Sequence, residues 1–180
     1  NAPFKCSQLE REVRAELRKR EGEPLAQKDL ASLKTIFVEE GEITDLSGLE
    51  QATNLESLSL ARTKNIYAVA EPGVSCNQVV DLSPLAGLTK LTELNLGYSL
   101  ITDLSPLAKL TNLKLLDLYE NQVADVTPLE GLINLTNLYL YRNRITDISP
   151  LAELTNLMAL NLGGNQICDF TPLANLAKLS

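Results

Sequence analysis

From Leu91 onward the apolar residues restart the same pattern every 22 positions. "LTELNLGYSLITDLSPLAKLTN" from Leu91 aligns without gaps on "LKLLDLYENQVADVTPLEGLIN" from Leu113, "LTNLYLYRNRITDISPLAELTN" from Leu135 and "LMALNLGGNQICDFTPLANLAK" from Leu157. Two earlier units share the wording, "LKTIFVEEGEITDLSGLEQATN" from Leu33 and "LESLSLART" from Leu55. The step from Leu55 to Leu91 is 36 residues, so that unit carries 14 residues too many, at about 64–77. Within each unit L-x-L alternates, which predicts a short strand with its leucines inward and the residue between them outward. The following D-h-S/T-P-L reads as a helix start, with Ser83, Ser105, Thr127, Ser149 and Thr171 as N-cap candidates ahead of proline. Only about two turns fit before the next strand, so a short or 3₁₀ helix is expected.

Repetition at this period predicts a solenoid, with parallel strands on one face and short helices on the other. Asn121, Asn143 and Asn165 stand where the chain leaves the strand, and a side-chain amide there can satisfy loop backbone groups. Gly41, Thr63 and Ser99 fill that column in the earlier units, where the amide ladder is expected to weaken. Upstream, Leu9, Val13 and Leu17 lie at i, i+4 and i+8, one face of a helix. Ser7 with Glu10 reads as a capping box, and Glu10–Arg14 and Glu16–Arg20 as favourable i,i+4 pairs. The organisation expected is an α/β leucine-rich-repeat solenoid. A helical cap covers residues 1–32, and six repeats starting at 33, 55, 91, 113, 135 and 157 fill 33–180.

The L-x-x-L-x-L-x-x-N-x-I/V unit followed by "ITDLSPLAxLTN" resembles the bacterial internalin-type leucine-rich-repeat proteins, over about residues 33–180. The segment "SQLEREVRAELRKREGEPLAQKDLASL" is similar to the helical cap of that family. The resemblance implies a secreted or surface-exposed bacterial module with adhesion or host-interaction roles in some relatives. It assigns no ligand residues, because recognition surfaces diverge.

Composition narrows the chemistry. Residues 1–42 hold 8 basic and 9 acidic side chains and the remainder 8 and 14, so all but one unit of the net charge of −7 falls after residue 42. That disfavours nucleic acid, which needs clustered lysine and arginine. The chain contains no histidine, which removes Ser-His-Asp and Cys-His nucleophile systems and histidine metal sites. No phosphate-binding glycine loop occurs, no run is long enough to span a bilayer, and no cofactor is expected. Asp45, Asp81, Asp103, Asp125, Asp147 and Asp169 recur with the repeat; turn hydrogen bonding explains them better than calcium, which needs more oxygens per ion. The start at Asn1 without an apolar leader makes a processed or trimmed N-terminus the expectation. Leu179 and Ser180 open a seventh strand, so the C-terminal edge is either a trimmed end or a packing surface, with a monomer expected.

Outward strand positions decide where a ligand would sit. Five of the eight aromatic residues, Phe37, Tyr98, Tyr119, Tyr139 and Tyr141, fall in these columns, and only Phe170 falls at a core position. Tyrosine and arginine are enriched where interfaces concentrate their energy. The expected protein-binding set is Phe37, Arg62, Tyr98, Asp117, Tyr119, Tyr139, Tyr141 and Arg142, with Tyr67 on the insertion beside it. Glu93 and Glu120 make the surroundings mixed to acidic, which suits a partner with basic and apolar groups. A non-catalytic protein-binding module is the leading reading; an intracellular scaffold or regulator, for instance of a phosphatase, is the alternative. Cys6 and Cys76 both fall near the N-terminal end of the solenoid, where a disulfide or two free thiols are both open; Cys168 is expected to be free.

Overall fold

Each L-x-L becomes a three-residue strand in the computed structural model, which describes residues 4–38, 42–60 and 77–179. The strands are β1 (Thr35–Phe37), β2 (Ser57–Ser59), β3 (Glu93–Asn95), β4 (Leu115–Asp117), β5 (Asn137–Tyr139) and β6 (Ala159–Asn161). They form one parallel sheet in chain order, the leucine-rich-repeat solenoid that the 22-residue period predicts. Ile36, Leu58, Leu94, Leu116, Leu138 and Leu160 stand in register across it. The 14 additional residues between β2 and β3 leave that register unchanged, since Leu58 pairs with Leu94 as Leu94 pairs with Leu116.

Opposite the sheet, 3₁₀ turns occupy Leu49–Gln51, Ser83–Leu85, Ser105–Leu107, Thr127–Leu129, Ser149–Leu151 and Thr171–Asn175. Their start differs from the sequence expectation. The N-cap position belongs to the preceding apolar residue, and the serine or threonine is already the first residue of the turn. The aspartate two positions earlier does the capping. Asp81, Asp103, Asp125, Asp147 and Asp169 each accept the backbone N–H of that serine or threonine at 2.8 Å. An acceptor-only carboxylate reaches a free N–H at that spacing better than a hydroxyl that also has a donor to place. These bonds hold the Asp103, Asp125 and Asp169 carboxyls below the usual carboxylate range.

At the N-terminal end, α1 (Ser7–Glu16) and α2 (Gln27–Leu30) precede the sheet, and Leu9 and Val13 on α1 are fully buried where the helix packs against β1. Cys6, not Ser7, is the N-cap of α1, and no side chain caps it, so the predicted capping box is absent. Arg14 pairs with Glu10 at 2.6 Å as expected. No Glu16–Arg20 pair forms among the described residues. Arg20 lies past the helix end, beyond the i,i+4 geometry.

The core is a stack of leucine layers running from Phe4 and Leu9 to Leu157, with Leu176 beyond it. Phe170, expected in that core, is 55% exposed. It occupies the column of Leu82, Leu104, Val126 and Ile148, all of which are covered by the following layer, whereas Phe170 belongs to the last layer described. With Leu160, Leu162, Leu173 and Leu179 it lines an open cavity of about 510 Å³ at that edge.

Candidate functional site

Two polar columns flank each inward-facing strand leucine, and they behave differently. The first is the asparagine ladder. Asn143 accepts Val123 N–H through Oδ1 at 2.9 Å and donates through Nδ2 to Leu118 O at 2.8 Å and Leu140 O at 3.1 Å. Asn121 and Asn165 repeat the arrangement, with Ile101 N–H and Ile145 N–H as donors. Each amide thus ties a loop to two strand carbonyls of consecutive repeats. In the second repeat Asn77, not Thr63, fills the column: it accepts Ile43 N–H at 2.9 Å and donates to Leu60 O at 2.8 Å. The insertion therefore ends immediately before Asn77, and Arg62, Tyr67 and Cys76 all lie outside the described residues. Cys6 carries a free thiol, buried and directed at Glu42 O at 3.9 Å; Cys76, the other half of the pairing left open by the sequence, lies outside the described residues. Cys168 is free and exposed. Where Ser99 replaces asparagine, its hydroxyl is buried and lacks a hydrogen-bond partner.

A second set of asparagines, closing the recurring L-T-N or L-I-N, was not assigned a role from sequence. Asn112, Asn134 and Asn156 donate to Thr89 O, Thr111 O and Ile133 O at 2.8–2.9 Å. Their recurrence at one place in four of the six repeats, with Asn54 the fourth member and Lys90 and Lys178 in the other two, was the available signal.

The outward column between the strand leucines reads Phe37, Ser59, Asn95, Asp117, Tyr139 and Asn161. Asn95, Asp117 and Asn161 all fold back on their own strand end, accepting N–H from the residue two positions on. The donors are Gly97 at 3.1 Å, Tyr119 at 2.9 Å and Gly163 at 3.1 Å. Three members depart from the solvent-facing expectation. Asn95 is 6% exposed, Asp117 3% and Tyr139 7%, while Phe37 is half-buried. In a parallel ladder the neighbours on both sides stand close enough to shield a central residue. Asn137 Nδ2 also holds the Tyr139 hydroxyl, at 3.1 Å. Burial pushes the Asp117 carboxyl up to about 6; the Tyr119 N–H opposes that shift and is not enough to cancel it.

Two residues past the strands a ring column forms. The backbone ladder continues there, with Tyr98 N–H donating to Tyr119 O at 2.7 Å and Glu120 N–H to Tyr141 O at 2.9 Å. Tyr119 and Tyr141 stack with centroids 4.6 Å apart, and Tyr98 meets Tyr119 tilted at 5.8 Å. Tyr141 lies over Gly163, where an added Cβ would come within 3.0 Å of the ring, so glycine makes room for it. Burial, and then the neighbouring Tyr141 and Tyr98 rings, raise the Tyr119 hydroxyl above its ordinary value. Arg142 sits 5.2 Å from the Tyr141 centroid and pairs with Glu120 at 2.6 Å. Tyr98, Glu120 and Arg142 take φ of 58°, 49° and 53°, a left-handed conformation that the next repeat assigns to Gly164 at 71°. Side chains are thus retained where glycine would avoid the strain.

The structure brings together Tyr98, Asp117, Tyr119, Tyr139, Tyr141 and Arg142 on neighbouring repeats, and places Phe37 at the far edge of the sheet on β1. No group of three or more metal-ligating residues occurs among the described residues. No described helix is long and apolar enough to cross a membrane.

The fold and its concave ring column define a leucine-rich-repeat protein, and the family profile for "Leucine Rich repeats (2 copies)" matches residues 74–109 and 133–175. Internalin C2 (inlC2) from Listeria monocytogenes is 35% identical across 99% of this chain and 93% of its own, with a TM-score of 0.59. Internalin inlF from the same species is 32% identical over 98% of this chain, with a TM-score of 0.75. The chain spans 55% of the inlF structure's length. The chain belongs to the internalin-type leucine-rich-repeat proteins. A plant receptor-kinase ectodomain from Arabidopsis thaliana, in complex with Casparian strip integrity factor 2, shares the fold alone. It is 22% identical over 77% of this chain and 16% of its own, with a TM-score of 0.63. No curated protein sequence matches.

Proposed function

We propose that this chain is a non-catalytic module that binds a protein partner across the concave face, at the surface of a bacterium or after secretion. Leucine-rich-repeat proteins are protein-interaction modules, and the fold typically serves as a non-catalytic scaffold. The observation that carries the reading is the column Tyr98–Tyr119–Tyr141, three rings in contact on consecutive repeats and only partly buried. Rigid amphipathic rings add contact area at low entropic cost, and Arg142 beside them supplies a fork of donors. The receptor-kinase ectodomain solved with a bound factor supports the fold's use in this way. Residues 1–32 serve as the cap of the repeat array in this reading, and Phe37 on β1 extends the face toward it. Arg62 and the Tyr67 of the insertion are offered as further partner contacts from the sequence. The partner is expected to meet one copy of the chain.

Immobilised wild-type domain and a Tyr119→Ala/Tyr141→Ala variant, each exposed to extract of the cells the bacterium contacts, test the reading. The wild type is expected to retain a protein that the variant loses, with the variant's melting temperature lowered only modestly. Equal retention by both overturns the concave-face assignment. The burial of Tyr139 makes it the wrong ring to truncate, because its loss would confound binding with stability.

A further inference from the structure

Tyr141 and Arg142 both lean over a rung that has no side chains of its own. An added Cβ at Gly163 would stand 3.0 Å from Tyr141 Cδ2, and one at Gly164 would stand 2.9 Å from Arg142 Cγ. Each side chain therefore depends on glycine in the next repeat. Arg142 also takes φ of 53°, at the position that Gly164 fills at 71°. A left-handed backbone strains any residue with a Cβ, so glycine would serve the turn better. The pair with Glu120 at 2.6 Å does little to offset that strain. The Arg142 side chain is 55% exposed, and solvent-facing pairs contribute little to stability. Folding thus gives no reason to keep an arginine here.

The guanidinium has room for a further acceptor. Glu120 reaches it through Nη1 alone, and Tyr141 is the other group against it, its ring centroid 5.2 Å away. A planar fork with donors on both edges is not filled by these two. Arg144, two residues on, is exposed and pairs with no carboxylate among the described residues, which adds positive potential. We infer that Arg142 anchors a carboxylate side chain, aspartate or glutamate, of the protein segment that crosses the concave face, with Gly163 and Gly164 positioning the anchor. This rests on the concave-face reading above and names one chemical group of its partner. Gly163 and Gly164 are themselves exposed, so the next repeat sets no side chain between Arg142 and an approaching carboxylate. Glu93 and Glu120, in the two repeats before Arg142, suit basic groups of the same partner, so the face asks for opposite charges at separate places.

A library of short random peptides displayed on phage, selected on the immobilised domain, tests the anchor without any partner in hand. Peptides retained by the wild type and lost by Tyr119→Ala/Tyr141→Ala are expected to share an aspartate or glutamate beside apolar residues. Converting that acid to its amide in the synthetic peptide is expected to weaken binding to the wild type by about tenfold or more. On Arg142→Gly the same conversion is expected to change binding by less than about twofold. Arg142→Gly removes the fork and relieves the left-handed strain together, so its melting temperature is expected to stay close to that of the wild type. Gly164→Ala, which sets a methyl against Arg142 Cγ, is expected to weaken the acidic peptide more than its amide. Retained peptides without a shared acid, or no retained peptides, overturn the anchor, as does an equal loss on amidation in wild type and Arg142→Gly. Enrichment of lysine or arginine that Glu120→Gln abolishes assigns the contact to Glu120 and overturns it too. A Gly164→Ala with undiminished preference for the acid overturns the positioning role of that glycine. Peptides that depend on the rings but share no acid condemn the anchor alone and leave the concave-face reading standing.

Discussion

Asn143 of the asparagine ladder and Asp117 are both buried polar side chains of the repeats, yet they are satisfied to very different degrees. Asn143 makes three hydrogen bonds within 3.1 Å to backbone groups of three separate segments. Asp117 makes one, to its own strand end, and carries a charge as well. A fully paired buried amide holds repeats together; an underpaired buried carboxylate in the same sheet weakens it. The contrast separates polarity that the fold uses from polarity that it tolerates.

Breaking the ladder gives the largest effect. Asn143→Ala leaves the buried Val123 N–H without an acceptor, while the Leu118 and Leu140 carbonyls each lose one donor and keep another, from Asn121 and Asn165. At roughly 1–3 kcal/mol for the orphaned N–H and about 1 kcal/mol for each of the two other bonds, a loss of about 4 kcal/mol is expected. Urea unfolding reads it as a drop in midpoint. A change below about 1 kcal/mol would mean that the ladder is decoration and the leucine layers suffice.

The carboxylate predicts a change of opposite sign. The Asp117 carboxyl, pushed up to about 6, stands above the ~3.9 of an unfolded aspartate, so the folded state holds the proton more tightly. The penalty for Asp117 is therefore absent below about pH 4, grows between about pH 4 and 6, and is complete above that. Asp117→Asn is expected to be more stable than wild type by about 3 kcal/mol at pH 8 and equal to it near pH 3.5. Urea midpoints across pH follow this directly. A variant less stable than wild type at pH 8 would show that the charge has an internal partner.

What the sequence made legible follows from what repeats. The register of all six strands, the leucine layers and the capping role of the asparagines could be read because each recurs at 22 residues and one physical requirement sets it. The cap of the 3₁₀ turns was legible as a motif and misassigned within it, since serine and aspartate are both capable acceptors and only geometry picks the aspartate. Asn77 was hidden by alignment: counting forward from Leu55 lands on Thr63, and the 14-residue insertion carries the true column member beyond it. The burial of Asp117 and Tyr139 was not legible, because exposure of an outward strand residue depends on neighbours 22 positions away on both sides. The ring column was visible as composition, but its stacking, at 4.6 Å between Tyr119 and Tyr141, needs the ladder that continues past the strands.

Ser99 offers the finest test of the comparison, because among the described residues it is the ladder position where the fold leaves a polar group unused. Its buried hydroxyl has no partner, while the ladder members on either side, Asn77 and Asn121, are fully engaged. By the repeat geometry, an asparagine at 99 would place Oδ1 toward Val79 N–H, as Asn121 does toward Ile101 N–H, and Nδ2 toward Leu96 O. Replacing an orphan with two net hydrogen bonds, less the entropy of ordering a longer side chain, is worth about 1 kcal/mol. Ser99→Asn is expected to raise the urea midpoint by that increment, with protection of the Val79 amide from hydrogen exchange as the local readout. A destabilised Ser99→Asn would mean that this rung lacks room for the longer side chain, so that the ladder is interrupted there by space and not merely by residue choice.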